Sequence, residues 1–145
     1  YEVLNGTYRR VSALPEAVLQ AFITCDVEIV KILNLIAILM DSRLFFEFLR
    51  EVYNEKIRLG EKEITDRDLN VFFADKAMQS DVVAGWTDTA VRKLKQCFTR
   101  MMFEAGLLES SVKPRTIKQV HIDYRTEELL TANGLGKYLK AVKGV

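Results

Sequence analysis

The stretch that most constrains this chain runs from Trp86 to Glu109 and reads WTDTAVRKLKQCFTRMMFEAGLLE. It carries a helix start, a helical period and a helix stop. Thr87 or Asp88 can cap the first free N–H groups, and Gly106 supplies a residue able to turn left-handed at the end. Between them Val91, Leu94, Phe98, Met101 and Ala105 share one side of a helical wheel. Arg92, Gln96 and Thr99 fall opposite, with Lys93 and Arg100 on one flank and Lys95 on the other. One face is set to pack and the other is basic, and the rest of the chain is expected to hold this helix.

The charge of the whole chain, +1, hides an asymmetry. Residues 1–85 hold 10 Lys/Arg against 14 Asp/Glu, whereas residues 86–145 hold 11 against 6. This divides the chain into an N-terminal helical part, 1–85, and a part with the basic helix, a hairpin and C-terminal helices, 86–145, which share one compact core. A basic C-terminal part suits a polyanion, although a solvated helix face carries similar charge. The apolar content of 49% is enough for a core without metal or disulfide. Cys25 and Cys97 stand far apart with no clustered histidine, which points away from a disulfide framework or zinc site and suits a reducing cytosol. No basic-then-apolar leader opens the sequence. The longest apolar run, Val27 to Met40, is broken by Glu28, Lys31 and Asn34 and is too short for a membrane span, so it predicts a buried core helix.

The other elements follow from caps and breakers. Tyr1 to Ser12 shows no period and is expected to be an arm or edge segment. Pro15 sits in the first turn of a short helix over Leu14 to Thr24, and Asp26 caps the core helix. Ser42 caps a helix reaching Arg58, with Gly60 as its stop, and Thr65 starts another containing Leu69, Phe72, Phe73, Ala77 and Met78. Ser80 to Gly85 is a connector of about one turn. Beyond Gly106, ESSVKP and TIKQVHIDY, with Ile117, Val120 and Ile122, suggest a small hairpin. Short helices over Thr126 to Ala132 and Leu135 to Val142 close the chain, with Tyr138 and Leu139 inward.

The order of a helical pair with a basic second helix, then strand, basic loop and returning strand, is that of a winged helix-turn-helix. In that reading the helix lies in or along a groove of duplex DNA and Lys113, Arg115 and Lys118 touch phosphates. A solvated helix beside a hairpin that only covers the core satisfies the same pattern equally well. Catalytic candidates are thin. His121, the one histidine, has no nucleophile beside it, and the pairs Asp66 with Asp68 and Glu127 with Glu128 fall at helix starts, where capping and dipole effects explain them. Gly134 and Gly136 do not make a dinucleotide loop. Trp86 is read as a hydrophobic staple, and Phe103, off the apolar face, as covered by other parts of the chain.

These residues also carry a resemblance. The run from Leu69 through Phe72 and Phe73 to Ala77, the stretch from Trp86 to Leu94, then Glu104 to Leu108, a basic connector and a closing YLKAV resemble the BrxA family of bacteriophage-exclusion (BREX) systems, most strongly over residues 64 to 109. The resemblance implies a mainly α-helical, cytoplasmic, non-enzymatic protein that binds double-stranded DNA and works beside other BREX components. It implies neither cofactor nor metal. A packing like that of the antitermination factor NusB is implied too, which leaves RNA open as a partner. The DNA-contacting residues expected here, Arg92, Lys93, Lys95, Arg100, Lys113, Arg115 and Lys118, come from the helical wheel and the basic loop rather than from the family. A scaffold that binds only other BREX proteins is the rival from a different class.

Overall fold

The computed structural model describes residues 15–18, 20, 27–118 and 120–143. The arm over Tyr1 to Ser12, Cys25 and the Asp26 cap lie outside these residues, as does most of the helix expected over Leu14 to Thr24. Within that helix the Val18 N–H donates to the Pro15 carbonyl at 3.0 Å, and Val18 is fully buried.

The centre of the core is α1, Val27–Asp41, which buries Ile32, Leu33, Leu35, Ile36, Ala37, Ile38 and Leu39. Apolar residues on most sides leave only a narrow strip for water, Glu28, Lys31 and Asn34, so neighbours cover the rest of it. Next comes a helical rod in three parts: α2, Arg43–Phe48, a π-helical turn over Leu49–Tyr53, and α3, Asn54–Arg58. Ser42 caps it by accepting from the Phe45 N–H at 3.3 Å. Phe45, Phe48, Leu49 and Tyr53 all face inward along this rod and are fully buried, the last two within the π turn. Gly60, at φ +74°, ends the rod: the Glu61 N–H reaches back to the Lys56 carbonyl at 2.9 Å, a geometry that favours a residue without Cβ.

Helix α4, Asp66–Gln79, opens on a reciprocal cap, Thr65 accepting from the Asp68 N–H while the Asp68 carboxylate accepts from the Thr65 N–H at 2.8 Å. The single turn α5, Asp81–Ala84, leads to α6, Asp88–Glu104, which Thr87 caps at 3.1 Å. Helices α7, Tyr124–Ala132, and α8, Gly136–Lys143, close the chain, and α8 packs on α1 and the π turn. One hydrophobic cluster extends from Val18 to Val142.

Several expectations change here. The rest of the chain is organised around α1 and not around α6, of which only Phe98, Thr99 and Met102 are buried. Its inward arc centres on Phe98, Met102 and Ala105, while Val91, Leu94 and Met101 are only half-covered. Thr99, expected outside, is inside. Its hydroxyl donates to the Gln96 and Lys95 carbonyls at 3.0 and 3.3 Å, so the group enters the core already satisfied. Phe103 is exposed and not covered by the chain, and Trp86 keeps 36% of its surface in water.

The hairpin does not form as strands among the described residues. It is reduced to two isolated antiparallel bridges, Glu63 with Thr116 and Leu108 with Ile117. The Ile64 N–H donates to the Arg115 carbonyl at 3.0 Å and that of Ile117 to Lys62 at 2.7 Å, while Glu109 and Lys118 donate to Thr116 and Leu107 at 2.9 and 2.8 Å. Residues 115–118 therefore lie between two other extended segments. The pairing stops there because the alternation is broken and Ile117, Val120 and Ile122 turn to the core rather than to a second strand.

A candidate nucleic-acid interface

Helical spacing decides which α6 side chains meet. Arg92, Lys95 or Gln96, Thr99 or Arg100, and Phe103 recur every three or four residues and fall on one strip. That strip, the first turns of α4 at Asp66, Leu69 and Asn70, and the loop from Ser111 to Arg115 enclose an open groove of about 1160 Å³. It brings together five of the expected contact residues, Arg92, Lys95, Arg100, Lys113 and Arg115. Lys93 is exposed but lies off the strip, and Lys118, also exposed, is beyond the loop's paired end.

The five cations are not equally free. Arg115 is nearly buried; it donates to the Ile64 carbonyl at 3.2 Å and to Asp66 Oδ1 at 2.8 Å, which pins the loop to the start of α4. Lys113 pairs with the other Asp66 oxygen. The Lys113 ammonium, and after it the Arg115 guanidinium, hold the Asp66 carboxyl below the usual range. Lys95 donates to Asn70 Oδ1 at 2.6 Å and lies 5.8 Å from the Phe73 ring centre. Arg100 pairs with Glu104 at 3.1 Å. Arg92, Lys93 and Lys118 form no ion pair with any described residue.

Sequence reasoning saw Asp66 only as a helix-start acid. Its second role, joining the loop to α4, depends on a contact between residues 49 apart in sequence, which no local pattern announces. Asp68 keeps its capping role and adds an ion pair to Lys56 at 2.8 Å, and Glu127 pairs with Lys143 at 2.5 Å. His121 and Cys97 are exposed. Among the described residues no three His, Cys, Asp or Glu side chains gather as a metal site, and no helix is long and apolar enough to cross a membrane.

Residues 2–134 match the family model of BrxA. The chain belongs to the BrxA family. A BREX protein BrxA of Bacillus cereus (strain H3081.97) is 36% identical over 143 residues, covering 99% of this chain and 72% of that protein. The BrxA fold is also seen in the crystal structure of an uncharacterized protein from Magnetospirillum magneticum, with a TM-score of 0.82 at 18% identity, over 94% of this chain and 72% of that one. At that identity the likeness is one of fold alone. Membership places this BrxA chain in a BREX phage-defence system.

Proposed function

We propose that this BrxA protein is a non-enzymatic, cytoplasmic accessory subunit that holds double-stranded DNA for its BREX system, beside the other BREX components. The observation that carries the reading is the convergence of Arg92, Lys95, Arg100, Lys113 and Arg115 on one open groove. A second support is chain order. The rod over residues 43–58, segment 62–64, α4, α6, segment 107–109, the basic loop and segment 115–118 follow the sequence of a winged helix-turn-helix, with the last segment between the other two. In this reading α6 is the helix laid against the duplex. Arg92 and Lys93, unpaired, reach phosphates first; Arg100 and Lys113 exchange a carboxylate for a phosphate; Lys95 holds α6 to α4 and Arg115 holds the loop. Lys118 contributes at most long-range attraction.

A protein-binding scaffold is the second reading, and one observation favours it. Asp66, Asp88 and Glu104 share the groove with the five cations, so its field is tempered in a way that suits a partner of mixed charge. Binding of labelled duplex DNA, single-stranded DNA and RNA of equal length at two salt concentrations separates the readings. DNA holding predicts duplex preference and a log affinity that falls by about 0.9 per phosphate contact for each unit of log salt. Arg92→Glu with Lys93→Glu is expected to weaken duplex binding at least tenfold with an unchanged circular dichroism spectrum. An unchanged affinity in that folded variant removes α6 from the surface. Loss of other BREX components in a pull-down, with DNA binding intact, establishes the scaffold instead, and preference for RNA moves the reading to an RNA partner.

A further inference from the structure

A second pocket lies on the other flank of α2. Phe45 and Phe48 on one side of that helix stack into the aromatic group around Phe98, which supports α6. Phe46, on its other side, meets Tyr138 of α8 edge-on at 5.1 Å. Around these two rings is a pocket of about 660 Å³ with Leu39, Met40 and Ala141 along its wall. That is the size of an ordinary small-ligand site.

Its charge is more one-sided than that of the α6 groove. Arg43, Arg50, Lys137 and Lys140 line it against one carboxylate, Glu47. Glu47 is already engaged by Arg43 at 3.3 Å and by Lys76 at 3.1 Å. Arg50, Lys137 and Lys140 form no ion pair with any described residue. Two of them are held over rings: Arg50 lies 5.6 Å from the Phe46 centre, and Lys137 lies 5.9 Å from Phe46 and 5.0 Å from Tyr138. Asn54, on the pocket wall just after the π turn, has a buried side-chain oxygen with no donor among the described residues. Such turns are common beside functional sites.

We propose that this pocket binds one nucleotide unit, its phosphate on Lys137, Lys140 and Arg50 and its base stacked against the Phe46–Tyr138 wall or the Arg50 plane. Cations with no ion-pair partner among the described residues, set beside half-buried aromatic rings in one pocket, suit a ligand that is both anionic and planar. An acidic peptide uses the cations but leaves the rings idle, and a duplex presents phosphates without a free base. The unit can be a free nucleotide or an unpaired nucleotide of a strand. The inference does not depend on the α6 groove, because the two pockets share no lining residue.

The test titrates the full chain by calorimetry with adenosine 5′-monophosphate, a single-stranded DNA decamer, a closed DNA hairpin duplex and hexaglutamate. Saturable binding of the monophosphate or the single strand is expected, weakened at least tenfold in Arg50→Gln with Lys137→Gln and unchanged in Arg92→Glu with Lys93→Glu. Monophosphate binding alone assigns the site to free nucleotides, and single-strand binding alone to unpaired nucleic acid. Lys140→Gln, at an exposed position, is expected to weaken binding about threefold to tenfold should the double variant melt early. No saturation by either ligand up to millimolar concentration overturns the proposal, as does tighter binding of hexaglutamate or loss of binding only in the α6 variant.

Discussion

Helices α1 and α6 differ in a way that inverts what their sequences suggest about importance. Helix α6 has a cap, a clear apolar period and a glycine stop, and yet its N-terminal half stands in solvent with Val91 and Leu94 only half-covered. Helix α1 has almost no polar side, and seven of its residues are buried. The contrast has a physical origin. A helix shows a sharp period only when one side meets water, so the most legible helix of a small domain is one at its surface, and full burial erases the pattern. Legibility therefore marks α6 as a platform, suited to offering side chains to a partner, and α1 as the support beneath it.

The largest expected effects test that division directly. Ile36→Ala in α1 and Phe98→Ala in α6 are each expected to cost about 3–5 kcal/mol, since both side chains are buried and leave cavities. Phe98 touches three rings, with centres 4.8 Å from Phe45, 5.5 Å from Phe48 and 5.6 Å from Phe73. Leu94→Ala, one turn earlier, is expected to cost about 1–2 kcal/mol because water already reaches the site. Chemical denaturation measures all three. Equal losses at Leu94 and Phe98 would mean that α6 is held along its whole length and that the contrast with α1 is wrong.

How far the sequence reveals the molecule follows the same logic. The Ser42, Thr65 and Thr87 caps and the Gly60 and Gly106 stops are local chemistry, and each helix boundary they predict lies within a residue or two of the observed one. Rotation about the helix axis was less legible. Thr99 looks polar on a wheel but satisfies its own hydroxyl on the preceding turn, so it can sit beside Phe98 in the core. The expected hairpin is absent as strands among the described residues, because Ile117, Val120 and Ile122 are β-favouring residues recruited to cover the core. At the candidate interface, composition and period identified the cations, but not which were committed. Arg115 and Asp66 meet across 49 residues of sequence, and only the fold brings them together.

An intermediate effect is expected where the α2 rod is tied to α4 rather than to α6. Lys76 is buried and reaches Glu47 at 3.1 Å and Glu51 at 2.8 Å, with its ammonium 5.4 Å from the Phe72 ring centre. For Glu47, burial pushes the carboxyl up, but the Lys76 ammonium, then the Arg43 guanidinium, outweigh it and the net direction is down. For Lys76, burial pulls down and Glu51 with Glu47 outweigh it, so the net direction is up. A lowered acid contributes stability above its ordinary value of 4.5 and loses it as pH falls through the folded value; a raised base contributes below 10.5 and loses it as pH climbs past the folded value. The full contribution is thus present between those limits. Lys76→Met is expected to cost about 1–2 kcal/mol at neutral pH, because half-exposed Glu51 can turn to water, and to flatten the acid limb of a melting profile. An unchanged acid limb would assign the rod's attachment to apolar packing alone.

The smallest stability effect is expected on the platform itself, where a large effect on binding is proposed. Arg92 and Lys93 are exposed and have no ion-pair partner among the described residues, so replacing both with Ala removes no packing and breaks no bridge. The change in stability is expected to stay within about 0.5 kcal/mol. Both lie in the second turn of α6, and Arg92 stands four residues beyond Asp88, the acid of the first turn. An acid followed four residues later by a base supports a helix by only about 0.2–0.5 kcal/mol, so the variant is expected to be neutral or slightly less stable than the parent. Paired denaturation curves in low and high salt check this, and any small loss should vanish at high salt, where the attraction is screened. A loss above 1 kcal/mol would show that these side chains hold the fold together, and the division between an α1 support and an α6 platform would fail at the residues that define it.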